Sequence, residues 1–474
     1  MGSQDDLIID LINRLESGKN EDYKLFTVMP DLVLKSSFKR EDNNNYSLFF
    51  VLPPEYRTKN VHDYFFQKPF ILNSHGMNIV VQNHEILGVR EQIVEDMNKS
   101  CNFLVTIKSF SVNVDDSLWN SSHQVAFIKY KEGDFKPYES SILFDLTTKM
   151  SDNGSYNALL LNISNNEFVF YYERINSETG YYIIKSKNII NHSDFKYIVE
   201  SISSAYAFIT GYYMLNTIYY LAVIKDSKND IAVRYENINQ QINTREPILD
   251  SGLYLDIPKE RRYISSEQFN KLVNYLYSDE NYYRTSTLLF NAGRMKGAMK
   301  ASLAAVALET VTSQVIKGNT ASKVINDKQI ADSINCQLKE VLKTFKTMIT
   351  KEQFTILSNK IDRINDITNI SKLEDAFQIL GISLNEDEKY CIKCRNNLLH
   401  GSLPKRKKDM WMTDSELLDI VANRLVMLSS MLLLKMASFE GFVIDRGMTD
   451  VVKWRMIKNG EKVRGGNILR DINE

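Results

Sequence analysis

Residues 284–317 read RTSTLLFNAGRMKGAMKASLAAVALETVTSQVIK. Leu288, Ala292, Met295, Met299, Leu303 and Val306 recur at intervals of three and four. That spacing is one apolar stripe on an α-helix. Gly318 follows and closes the helix. The stretch therefore reads as one long helix, and its neighbours carry the same period. Helices are expected near 264–280, 326–348 and 351–366. Ser371-Lys372-Leu373-Glu374 is a capping box that opens a helix through Leu380, with Gly381 ending it. The next helix begins near Asn385 and runs to Leu399, stopped by Gly401 and Pro404. Thr413-Asp414-Ser415-Glu416 is a second capping box, opening an apolar helix to about Phe439. The chain has 8 prolines, and Pro404 alone lies beyond Pro258, which leaves room for long helices. The C-terminal half is thus expected to be an all-helical bundle of five or six helices.

Upstream the texture changes. After a short amphipathic helix at 5–16, residues 25–250 are rich in β-branched and aromatic runs. Leu48–Leu52 runs into Pro53-Pro54, and Ile79–Val81 and Phe103–Ile107 read as further strands. Phe168–Tyr172 and Tyr181–Ile184 flank the turn-rich Asn176–Gly180 and form a hairpin. Few helices intervene between strands, so a parallel Rossmann-type sheet is disfavoured and a sandwich-like antiparallel arrangement expected. The fold class is α+β. It divides into a β-rich region 1–250, a linker 251–264, a helical bundle 265–445 and a basic tail 446–474.

The chain has 474 residues, 43% apolar and 25% charged, an ordinary globular composition that argues against disorder. Net charge is -1. The acidic excess lies in 1–260 and the basic excess in 261–474, which points to a polyanion contact in the C-terminal half or to ordinary surface variation. Four cysteines are too few for a disulfide scaffold of this size, and the N-terminus lacks a signal-peptide pattern. A reducing cytoplasm is the expected location. Ser201–Ile224 carries no charge over a membrane-spanning length. Gly211 splits it, so a helix ending at Gly211 followed by a strand is expected, and no membrane partner.

Of six histidines, His400 alone lies in the helical half. It closes Arg395-Asn396-Asn397-Leu398-Leu399-His400 at a helix end. Asn396 and His400 stand four apart on one face, and Arg395 flanks it. The basic run Lys405-Arg406-Lys407-Lys408 follows. Histidine titrates near neutrality and can pass protons. Arginine offers a donor fork to phosphate oxygens, asparagine can orient substrate, and the basic run can hold a neighbouring phosphate. These residues suit phosphodiester cleavage with the RNA 2′-hydroxyl as nucleophile, which needs no metal or other cofactor. One helix supplies one His and one Arg; a symmetric dimer would supply two of each. The bland alternative is a histidine capping helix carbonyls.

Glu309 is the one charge from Ala301 to Ile316, to be paired if buried, with Arg395 a possible partner, or else facing solvent. Cys391-Ile392-Lys393-Cys394 is a lone pair without the four ligands zinc requires, so core contacts are expected. His62, His75, His84, His123 and His192 are scattered. Arg261-Arg262 either touches RNA or marks the linker.

The Arg395, Asn396 and His400 pattern at the end of a bundle helix resembles the HEPN superfamily over roughly residues 265–445. The order of a β-rich region before the bundle is similar to the ApeA-type anti-phage HEPN proteins. The resemblance implies a metal-independent endoribonuclease with a composite dimer site, acting on RNA, tRNA among the possible substrates. It also implies an abortive-infection effector, restrained by the N-terminal region until a phage-derived or nucleotide trigger arrives. The competing reading is a non-catalytic nucleotide- or nucleic-acid-binding module coupled to a protein-interaction β domain.

Overall fold

The computed structural model describes residues 4–17, 23–26, 33–53, 69–74, 77–92, 101–113, 116–131, 144–151, 154–174, 179–223, 231–238, 242–244, 246–249, 261, 263–317, 323–366, 368–404, 412–447 and 469–473. They gather into two compact units that interleave in sequence. The first comprises 1–207, 211–245 and 264–277; the second comprises 208–210, 246–263 and 278–474. Residues 264–277 go with the sheet because Ile264-Ser265 pairs with Phe144-Asp145 and Phe269 meets Phe144 edge-on. Residues around Glu246 go with the helices through the Glu246–Lys300 ion pair at 2.6 Å.

The first unit is an antiparallel sheet with helices. Helix α1 spans Gln4–Ser17. Strands follow as β1 (Tyr23–Phe26), β2 (Val33–Arg40), β3 (Tyr46–Leu52), β4 (Phe70–Ser74), β5 (Met77–Val81), β6 (Ile86–Gln92), β7 (Cys101–Ile107) and β8 (Ser109–Val112). After α2 (Asp116–Ser121) come β9 (His123–Lys131), β10 (Thr147–Ser151), β11 (Gly154–Ile163), β12 (Asn166–Arg174) and β13 (Thr179–Ile189). Helix α3 (His192–Thr210) precedes β14 (Thr217–Val223) and β15 (Ile231–Asn237), and α4 (Ser266–Ser278) follows.

All fifteen strands form one sheet in the order β10-β11-β12-β13-β9-β14-β15-β8-β5-β4-β1-β2-β3-β7-β6. Strands β7 and β8 are one continuous run broken only at Lys108, yet they hold distant places in that order. The run β8-β5-β4-β1-β2-β3-β7 therefore begins and ends on the same strand and closes into a ring. Two facing layers arise from this one rolled sheet. The burial of β7 alternates along its length, so Phe103, Val105 and Ile107 point into the ring. Tyr46 meets Phe110 at 4.8 Å and Phe50 stacks on Phe103 at 5.2 Å inside it.

Helix α1 buries Ile8, Ile12 and Leu15 against this core. Its last turn carries Glu16, whose carboxylate meets Arg40, Lys129 and the Tyr219 hydroxyl. The Tyr46 hydroxyl donates to the Leu15 carbonyl at 3.1 Å. Helix α3 packs Phe195 and Tyr206 on Phe168, Phe170 and Tyr182 of β12 and β13. Gly211 ends it with a left-handed φ of 70°, and a strand follows, as the sequence indicates for 201–224.

The second unit holds seven helices among the described residues: α5 (Glu280–Ala292), α6 (Gly297–Lys317), α7 (Lys328–Thr344), α8 (Lys351–Asp362), α9 (Asn369–Ile379), α10 (Glu386–Leu399) and α11 (Asp414–Met436). The expected single helix over 284–317 is two. Gly293 and Gly297 interrupt it, and Gly297 sits at φ 55°. Met295 and Met299 of the expected stripe are exposed. The core face of α6 is instead Ala301, Ala304, Ala305, Leu308, Val311 and Val315. Its small residues let α11 approach closely, with α5, α9 and α10 around it. That explains why α11 is buried along most of Leu417–Leu434. It is long and apolar enough to cross a membrane, but 89% of its apolar window is buried inside the fold. Helix α9 starts earlier than the expected box at Ser371, because the Thr368 side chain accepts from the Ser371 amide and caps it.

Two outcomes follow. Replacing Glu16 with Ala leaves Arg40 and Lys129 without their carboxylate and should cost about 3 kcal/mol in urea unfolding. His192 lies beside Trp119 and Tyr220, and burial lowers its pKa from 6.5 to about 4. Below pH 6.5 the unfolded chain binds a proton that the folded chain refuses until about pH 4. Stability should therefore fall as pH drops through that window, and fall less in His192→Gln, as read by thermal unfolding at stepped pH.

Candidate active site

Helix α10 owes its start to Asn385, whose side chain accepts from the Glu388 amide while Glu388 reaches back to the Asn385 amide. Glu386 and Asp387 add negative charge to the first turn, where the helix dipole favours it. The buried face is Glu388, Cys391, Ile392, Cys394, Arg395 and Leu398, a three-and-four spacing. The helix ends at His400. The His400 amide donates to the carbonyls of Asn396 and Asn397, each at 3.2 Å, and Gly401 turns the chain at φ 73°.

Arg395 thus points inward, not along the open face with His400. It is 2% exposed. One end of its guanidinium pairs with Glu309 of α6, and Nη1 donates to Asn396 Oδ1 at 2.6 Å. Its Nε is buried without a partner. Glu309 meets each of its two readings in part: it is solvent-facing, with half its side chain exposed, and it pairs with Arg395. Asn396 is half-buried, while His400 is exposed and its imidazole makes no polar contact with a described residue. Arg395, Asn396 and Glu309 form one connected cluster, with His400 one helical turn further along. Lys405, Arg406, Lys407 and Lys408 lie outside the described residues, as do His62, His75 and Arg262.

Two further ion pairs tie this helix to other elements, Arg470–Glu388 and Arg424–Asp387, and the sequence reading did not single them out. Arg470 donates to Glu388 at 2.7 Å and to the Ser383 carbonyl at 2.6 Å. It belongs to a short strand, Leu469–Asp471, paired with Phe442–Ile444. Arg424 of α11 lies 3.3 Å from Asp387 and 3.7 Å from Asp445. Arg424 is the one charge between Ile420 and Leu434, the same signal that picks out Glu309. Arg261 pairs with Asp471 and lies over the Phe442 ring, so it is engaged within the unit.

Cys391 and Cys394 face the core. Burial pushes the Cys391 thiol up to about 12 and raises that of Cys394. Both stay protonated at neutral pH, which makes them poor nucleophiles and poor metal ligands. No family model, curated protein or solved structure matches the chain.

Removing the Glu309 carboxylate as Ala leaves a buried cation with Asn396 alone. The expected cost is about 1–2 kcal/mol, moderated by the half-exposed carboxylate. In a double-mutant cycle with Arg395→Met, the second change should recover part of that loss; additive losses would mean the two side chains are not coupled.

Proposed function

We propose that the chain is a metal-independent endoribonuclease of HEPN type. The observation that carries this reading is the end of α10: a free, exposed imidazole one turn from an arginine–asparagine pair held in place by Glu309. Two copies of that helix end, brought together in a homodimer, would supply two imidazoles. One His400 takes the proton of an RNA 2′-hydroxyl as its oxygen attacks the adjacent phosphorus. The other gives a proton to the departing 5′-oxygen. The products are a 2′,3′-cyclic phosphate and a 5′-hydroxyl. Asn396 orients the phosphate, and Arg395 stabilises its developing charge once it exchanges Glu309 for the substrate. Lys405, Arg406, Lys407 and Lys408 would grip flanking phosphates. In a cell the enzyme would act in the cytoplasm against RNA, tRNA included, as an abortive-infection effector. The β-rich region would restrain it until a phage-derived or nucleotide trigger binds.

A second reading has its own support. Arg395 is buried and already bound at both ends. A guanidinium held so firmly suits a structural role, with the unit serving as a nucleotide- or nucleic-acid-binding module.

Incubation with tRNA and single-stranded RNA in EDTA separates the two. The nuclease reading expects cleavage leaving 2′,3′-cyclic ends, reduced by about 10²–10⁴ in His400→Ala. RNA binding without cleavage, in the chain isolated from phage-challenged cells, supports the binding module and would falsify the nuclease.

A further inference from the structure

Helices α7 and α8 form a hairpin whose two sides differ. In α7, Ala331, Asn335, Leu338 and Leu342 recur at four, three and four, and all are buried or half-buried. In α8, Phe354, Ser358 and Ile361 keep the same period and are half-buried. The Asn335 side-chain amide donates to the Ile361 carbonyl at 3.0 Å, so these two rows form the seam of an antiparallel pair. In such a pair the residue after each seam position points to one side on both helices, and the residue before it to the other. Lys339 and Asp362 each follow a seam residue, and they meet as an ion pair. Ile330, Ile334 and Val341 of α7 and Leu357 of α8 each precede one. Phe345 and Ile364 continue those rows past the helix ends, four after Val341 and seven after Leu357.

Among the described residues nothing covers this second side: the six residues stand between 37% and 56% exposed. They present roughly 600 Å² of apolar surface, at the top of the range for the largest patch on an ordinary monomer. A standard interface takes about 800 Å² from each partner, of which about 65% is apolar in homodimers. The side therefore supplies the apolar share of one complete interface. The pattern of α7 agrees. Ala331, Leu338 and Leu342 of the seam, with Ile330, Ile334, Val341 and Phe345 beside them, make a stripe two positions wide. Such a stripe suits a helix in a bundle, whereas a helix pair needs only the seam. Helix α8 fills half of the stripe and leaves the other half in water. The rest of the hairpin carries both signs, with Lys339 on Asp362 and Lys343 on Glu340, and lacks the cationic surplus of a helix that lies on a membrane.

We propose that this side of the hairpin is a self-association surface. It packs on the same side of a second copy about a two-fold axis, and the four helices form one bundle. The apolar rows of each copy cover those of the other. Gln337, Gln353 and Lys360 stand in the same rows and supply polar contacts, the lysine laying its stem along apolar surface. This surface is independent of the α10 chemistry and serves whether or not the chain cleaves RNA.

Sedimentation equilibrium of the full chain tests it. The wild-type chain should form a concentration-dependent dimer. Ile334→Glu combined with Val341→Glu should weaken association about thirtyfold or more, the loss a hot-spot contact carries. Asn359→Glu, on the opposite side, should leave it unchanged. All three positions are exposed, so the variants should unfold at the wild-type temperature. A second readout needs no variant: deuterium uptake by residues 328–364 of the wild-type chain should fall as its concentration is raised and the dimer forms. A chain that stays monomeric overturns the proposal, whether or not it then binds vesicles of phosphatidylcholine and phosphatidylglycerol. So does a dimer that survives the paired substitution, or one that leaves uptake in 328–364 unchanged. Such a dimer would leave the α10 reading intact, since that reading is tested by RNA cleavage in EDTA.

Discussion

A guanidinium taken out of water must meet a carboxylate, and both units are organised around that requirement. Arg40 reaches Glu16 and so ties α1 to the ring of strands. Arg395 reaches Glu309 and ties α10 to α6. Arg424 and Arg470 bind the start of α10 to α11 and to the short strand Leu469–Asp471. Apolar packing supplies the bulk of the cohesion. It is non-directional, however, and α10 has a short apolar face. The ion pairs fix how far α10 is rotated about its axis and which residues its end presents.

That rotation decides the chemistry of the helix end. With Arg395 turned inward, Glu309 and Asn396 hold its guanidinium, and His400 is left to face solvent. The imidazole is therefore open to solvent, while the arginine is held at both ends of its guanidinium. In the reaction proposed for this helix end, a phosphate would have to displace one half-exposed carboxylate, a smaller barrier than two.

The alternation and period of the chain were legible early. The strands around Phe103, Phe168 and Tyr181, the turn at Gly211 and the caps at Asn385 and Thr413 all follow from local residue chemistry. So does the importance of Glu309, a lone charge in an apolar run. The same signal marks Arg424, a lone charge in the apolar run of α11. The break between α5 and α6 was missed because the apolar period runs on through Gly293 and Gly297, and helical spacing alone does not register two glycines. The orientation of Arg395 was missed for a related reason: a long side chain beside a helix face can turn either way.

By itself the sequence determined the α+β class, the order of sheet and helices, most element ends and the gathering of Arg395, Asn396 and His400 at one helix terminus. These depend on contacts within a few residues, where capping, periodicity and turn chemistry are decisive. Tertiary structure alone decided that β7 and β8 close a ring, that 264–277 joins the sheet, that Arg395 faces Glu309, and that Lys196 of α3 meets Glu236 of β15. Each of these joins residues far apart in the chain, and no local preference encodes which distant partner a side chain or strand edge will meet.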